Sequence, residues 1–104
     1  MLLFKRKFLP AILSGEKTQT IRVWRRRLVR AGQRSYTPGV GRIRIDRVEP
    51  VDIDQLTDDD AEPDGFPTAD ALRAELASLY ADKMDGGYQA YRVVFHREPD
   101  ADDA

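Results

Sequence analysis

The sequence predicts an α+β fold, a small mixed or barrel-like sheet carrying helices. Three observations lead there. The chain has 104 residues, the size of one domain with one modest core. Stretches rich in β-formers, with period-2 alternation, fall near residues 18–24, 41–53 and 88–96. Between the last two, apolar residues recur at helical spacing. No repeat and no linker divides the chain, so residues 1–97 read as a single domain.

The elements follow in order. Residues 1–8 read as a short first strand. Residues 8–15 read as a short helix, with Pro10 in the first turn and Gly15 as its stop. Residues 18–24 form a strand whose faces are Thr18/Thr20/Arg22/Trp24 and Gln19/Ile21/Val23. Residues 25–32 are basic and end in Ala31-Gly32, a loop or helical turn. A short strand at 33–37 precedes a Pro-Gly turn at 38–41. In 41–53, Ile43, Ile45, Val48 and Val51 alternate, and the phase slip near Arg47-Val48 marks a β-bulge. Residues 56–61 read as a capped short helix with acids at its positive end, broken by Pro63-Asp64-Gly65. Thr68 caps a second helix, of about 15 residues, carrying Leu72, Leu76, Leu79 and Tyr80. Gly86-Gly87 ends that region. Residues 88–96 form the last strand, with Tyr91, Val93 and Phe95 on one face. The acidic tail 98–104 is expected to be disordered.

Composition excludes several chemistries. With no cysteine there is no disulfide framework, thiolate zinc site or cysteine nucleophile. A single histidine, His96, argues against a His-rich metal site and a Ser-His-Asp triad. The acidic run Asp58-Asp59-Asp60 lacks the spacing of a calcium loop. No metal and no cofactor is therefore expected. No apolar run approaches the ~20 residues of a membrane span. The start places its apolar residues before Lys5-Arg6-Lys7, the reverse of a secretory signal, which predicts a cytoplasmic protein.

The net charge of −1 conceals a division. Residues 1–50 hold 13 Lys/Arg against 3 Asp/Glu, a net +10, and residues 51–104 hold 4 against 15, a net −11. Either the halves neutralise each other in the fold, or one side presents a basic surface that attracts phosphates and nucleic acids.

One segment carries more. Ala11-Ile12-Leu13-Ser14-Gly15-Glu16-Lys17-Thr18-Gln19-Thr20-Ile21-Arg22 resembles the N-terminal signature of the ASCH domain family, "I-L-x-G-x-K-T-x-T-I-R". A second match runs from Leu56-Thr57 through Ala61 to Asp64-Gly65-Phe66, and Tyr91-Arg92-Val93-Val94-Phe95 is similar to the family's last strand. The resemblance spans about residues 3–96. It implies a PUA-like β-barrel with flanking helices, and chemistry on RNA or modified nucleosides. One branch of the family hydrolyses N4-acetylcytidine with a lysine, a threonine three residues on, and a glutamate. By resemblance these map onto Lys17, Thr20 and Asp64. The last is an aspartate where the family has a glutamate, and Glu62 stands nearby as the other candidate.

The residues suit that chemistry. A threonine hydroxyl is a weak nucleophile and needs a base within reach. A lysine serves if burial or neighbouring cations lower its pKa. Lys17 would activate Thr20, Asp64 would bind or protonate the leaving nitrogen, and Arg22 would orient the base or hold the oxyanion. Positions 17 and 20 point to opposite faces of a regular strand, so Lys17 must sit in the turn before it. Trp24, Arg25, Arg26 and Tyr36 are candidates for a phosphate-binding and base-stacking surface, with Arg27 and Arg30 beside them. Each residue also has a plain structural role available: Lys17 as a solvated lysine, Thr20 as a strand residue, Arg22 as an edge charge, Asp64 as a turn residue, Trp24 as packing. The expected partner is RNA or a modified cytidine nucleoside. The alternatives are an RNA-binding module without chemistry and an ASCH-type ribonuclease. The oligomeric state is left open.

Overall fold

The computed structural model describes residues 2–83 and 87–98, Lys83 by its backbone alone. Gly86 and the tail beyond Glu98, on which two expectations fell, lie outside the described residues. Four strands, β1 (Gln19–Trp24), β2 (Arg34–Thr37), β3 (Gly41–Val51) and β4 (Gln89–Arg97), form one antiparallel sheet in the order β1-β4-β3-β2. Among the described residues three α-helices accompany it, α1 (Leu9–Ser14), α2 (Asp58–Ala61) and α3 (Ala69–Tyr80). The fold is α+β, as expected. Among the described residues no helix is long and apolar enough to cross a membrane.

The expected mixed, closed barrel is absent: the sheet is open and every pairing among the described strands is antiparallel. β1 and β2 stand at opposite edges and do not pair. The expected first strand is also absent: residues 2–5 join no ladder, and Arg6–Phe8 form a 3-10 turn. These two departures share a cause. The N-terminal segment links the two edge strands through side chains. Leu2 N donates to Ser35 Oγ (3.1 Å), and Thr37 Oγ1 donates to Leu2 O (2.8 Å), both on β2. Arg22 Nη2 on β1 donates to Leu3 O (2.6 Å). The segment thus satisfies its backbone without becoming the strand that would close the sheet.

Each sheet face has its own core. Ile43, Ile45, Val48, Val93 and Phe95 share one face and are buried under Leu2, Ile12, Val29 and Val40, from the N-terminal segment, α1 and the loops. The bulge comes between Ile45 and Arg47, one step before the expected position. It restores Val48 to the face of Ile43 and Ile45. On the other face Ile21, Val23 and Ala90 pack beneath Leu56, Ala61, Leu72 and Leu76 from α2 and α3. These helices cover only the part of that face near β1. Their starts are built as the sequence requires: Thr57 and Asp60 form a capping box, and the Thr68 side chain accepts from Ala71 N (3.1 Å). α3 is shorter than expected, twelve residues.

Candidate functional site

Lys17 lies before β1, in the turn that follows α1. Gly15, at φ +86°, ends α1 in the left-handed conformation. Lys17 N then donates to Ala11 O (3.0 Å), and Thr18 N to Pro63 O (2.8 Å). The first bond ties the turn back to α1, and the second ties it to the 3-10 turn Glu62–Asp64. The parity obstacle is thereby removed: Lys17 is off the strand, and it lines the same cleft as Thr20.

That cleft runs beside the free edge of β1, between the N-terminal segment and α3. Its cavity is about 180 Å³, and Phe4, Phe8, Lys17, Thr20, Arg22, Asp64, Phe66, Glu75 and Tyr80 are among its walls. A cavity of ~150 Å³ holds a benzene ring, so this one admits a single six-membered ring with a small substituent. A broader open depression, about 560 Å³, lies near the end of β1 against Val51, Asp52, Asp54 and Tyr88. It carries no buried ionisable side chain.

Lys17 and Asp64 are both buried, with side chains 2% and 4% exposed. Lys17 Nζ donates to Asp64 Oδ1 (2.7 Å) and also to the Asp64 carbonyl. Gln19 Nε2 reaches Asp64 Oδ2 (3.4 Å), so both carboxylate oxygens are engaged. The ammonium also lies 4.7 Å from the Phe8 ring centroid and 5.9 Å from that of Phe66. Burial pushes the Lys17 amine below its ordinary range; Asp64 pulls it back up, while Arg22 adds to the depression. Gly65 sits at φ +92°, where side-chain-bearing residues are rare, with the Lys17 stem against it.

Thr20 is buried and accepts from Arg22 Nε (3.1 Å) at Oγ1. Arg22 Nη2 is taken by Leu3 O, and the guanidinium stacks at 4.9 Å from the Phe4 ring centroid. Its Nη1 has no hydrogen bond among the described residues. Burial lowers the Arg22 pKa against the pull of Tyr80 and Asp64. Glu75 of α3 holds Lys5 Nζ and Lys7 Nζ, each at 3.2 Å. Burial works against its charge, but the two ammoniums keep its carboxyl below the usual range.

Lys17, Thr20, Arg22 and Asp64 therefore meet. Glu62, the alternative acid, is exposed. Trp24 lies further along β1, 5.7 Å from Tyr91. Arg25 and Arg26 are exposed in the loop beyond it, with Arg25 5.1 Å from the Tyr88 ring centroid and Arg27 5.7 Å from that of Tyr91. Tyr36 is on β2, at the far edge of the sheet and on the opposite face from Trp24. The expected stacking surface of Trp24, the arginines and Tyr36 is thus not assembled, because β3 and β4 separate the two edge strands. The sequence reading missed Phe4, Phe8 and Glu75 as site residues, and held Phe66 only as the end of the second match. For Phe4 and Phe8 only the apolar character was visible, and that is equally a core signal. Among the described residues no group of three or more His, Cys, Asp or Glu is placed to hold a metal ion.

No family model matches the chain, and no curated protein matches it. Solved structures do. The chain is similar to protein EF3133 from Enterococcus faecalis V583, described with the family model DUF984. The TM-score is 0.68 at 18% identity, covering 86% of this chain and 69% of that one. It is also similar to the hypothetical protein PH0355, with a TM-score of 0.72 at 13% identity over 90% of this chain and 94% of that one. At these identities the likeness is one of fold.

Proposed function

We propose that the protein is a PUA-like ASCH domain whose cleft hydrolyses the exocyclic amide of an N4-acylated cytosine, as in N4-acetylcytidine. The observation that carries this reading is the meeting of Lys17, Thr20, Arg22 and Asp64, from segments up to 47 residues apart, in a cleft of single-ring size. Phe8 and Phe66 offer flat apolar faces to a pyrimidine.

The resting pair is ammonium and carboxylate. A base entering the cleft expels water and disfavours both charges, so the Lys17 proton passes to Asp64. Neutral Lys17 then takes the Thr20 hydroxyl proton as Oγ1 attacks the acyl carbon. Arg22 Nε already donates to that oxygen and eases its ionisation, while Nη1 is free for the oxyanion. Collapse breaks the C–N4 bond. Protonated Asp64 gives its proton to the leaving nitrogen, releasing cytidine and leaving an acyl ester on Thr20. Water, deprotonated by Asp64 while Lys17 keeps the proton it took, cleaves that ester. As the ester C–O bond breaks, Asp64 returns that proton to Thr20 Oγ1, the carboxylic acid departs, and the ammonium–carboxylate pair is restored.

The test is turnover of N4-acetylcytidine by the purified chain, followed chromatographically. Thr20→Val leaves the Lys17–Asp64 pair in place and is expected to abolish turnover without loss of fold. Undiminished turnover in that variant would refute the nucleophile. One observation favours a second reading, binding without chemistry: Lys17 is bonded to Asp64, not to Thr20. On that reading N4-acetylcytidine binds and is recovered intact.

A further inference from the structure

α2 and α3 leave the β2–β3 part of their sheet face uncovered, and its side chains are basic. On β2, Arg34 and Tyr36 point outward while Ser35 and Thr37 are buried. On β3, Arg42 and Arg44 alternate with the fully buried Ile43 and Ile45. The register places Arg34 directly opposite Arg44, and Tyr36 directly opposite Arg42. On the other side of β3, Arg44 faces His96 of β4.

Like charges directly opposite on one sheet face destabilise it. The acids on this face are already occupied. Asp46 holds His96 (2.8 Å), and Glu98 holds Arg34 (3.2 Å). Glu49 holds Arg47 and Arg92, each at 3.4 Å. The guanidinium groups of Arg42 and Arg44 make no hydrogen bond or ion pair with any described residue; only their backbones are bonded, as where Glu98 N donates to Arg42 O (3.0 Å). Among the described residues, two guanidiniums without an acid partner therefore flank an aromatic ring that is 55% exposed, on a part of the sheet face that no described element covers.

We propose that this face binds single-stranded nucleic acid, with phosphates on Arg42, Arg44 and Arg34 and a base stacked on Tyr36. The chemistry distinguishes this partner from others. Planar guanidinium forks match phosphate oxygens. An exposed ring level with them suits an unstacked base, which a duplex does not offer. An acidic peptide would use the arginines and leave the ring idle. A membrane surface would call for an apolar helix face, which this patch lacks. The site is distinct from the cleft, lies at the other edge of the sheet, and stands whether or not the cleft is catalytic.

The experiment is fluorescence anisotropy of the full chain with a labelled single-stranded RNA of about 12 nucleotides, across ~50 to 200 mM salt. The paired variant R42Q/R44Q should weaken binding at low salt by at least tenfold. It should also reduce the slope of log affinity against log salt by about 1.4, from ~0.7 per phosphate contact on a single strand. Tyr36→Ala should weaken binding about tenfold with little change in slope. R42Q/R44Q, relieved of the Arg34–Arg44 repulsion, should melt at or above the wild type, Tyr36→Ala should melt near it, and both should leave nucleoside turnover unchanged. No binding by the wild type at low salt overturns the proposal, as does unchanged affinity in R42Q/R44Q. Equal affinity for duplex RNA, with no effect of Tyr36→Ala, overturns the single-strand assignment.

Discussion

Replacing Asp64 by Asn removes the counter-charge from a lysine whose side chain is only 2% exposed. Breaking a buried pair by removing one partner costs about 3–5 kcal/mol. That is a large part of the ~5–15 kcal/mol by which a domain is stable. The variant should also change the dependence on pH. Burial already depresses the Lys17 amine, and Asp64 is the first of the influences that raise it. Without Asp64 the folded amine falls further, while the unfolded lysine keeps its ordinary value of about 10.4. Between those two values the unfolded chain binds more protons than the folded one, so stability rises with pH. The wild type has the same sign over a narrower window. The double variant K17M/D64L removes both charges and should recover most of the loss, since apolar replacement of a buried pair is often neutral or stabilising by about 1–4 kcal/mol. Urea unfolding followed through the single tryptophan, Trp24, at about pH 6 and about pH 9 reads all three. A cost below ~1 kcal/mol in Asp64→Asn would refute the reasoning. So would a gap to the wild type that widens with rising pH, or a double variant no more stable than the single.

Three other outcomes follow from the same geometry. Gly65→Ala forces a side-chain-bearing residue to φ +92° beside the Lys17 stem; it should cost about 1–2 kcal/mol in the same unfolding assay. Arg22→Lys cannot reproduce a fork that serves both Thr20 Oγ1 and Leu3 O; turnover should fall at least tenfold and stability by about 0.5–1.5 kcal/mol for a lost hydrogen bond. Asp60 is held below the ordinary carboxylate range, chiefly by the Thr57 backbone N–H, with the Thr57 hydroxyl and Arg92 helping. Its contribution is present above about pH 4 and lost as pH falls through its depressed folded value, so acid titration of Asp60→Asn should show a shallower loss of stability than the wild type.

The local elements were legible because they depend on neighbours in the chain. Pro10 and Gly15 bound α1, Thr57 and Thr68 cap α2 and α3, and the alternation of Ile43 and Ile45 marks β3 as a strand. The phase slip in that alternation announced the bulge to within a residue. Closure of the sheet was not legible. It turned on whether residues 2–5 would form a ladder or be held by Ser35, Thr37 and Arg22, and those partners are up to 35 residues away.

The candidate site divides the same way. The sequence by itself determined which residues are chemically able: the spacing of Lys17, Thr20 and Arg22, and an acid before Gly65. It also determined the arginine-rich composition of the first half. Only the tertiary structure decided that Asp64 grips Lys17, that three phenylalanines and Glu75 wall the cleft, and that Trp24 and Tyr36 stand on opposite faces and edges. Residue type and spacing fix what a side chain can do and which way it faces along its own element. Pairing and packing between distant elements fix its neighbours, and neighbours set charge state and company.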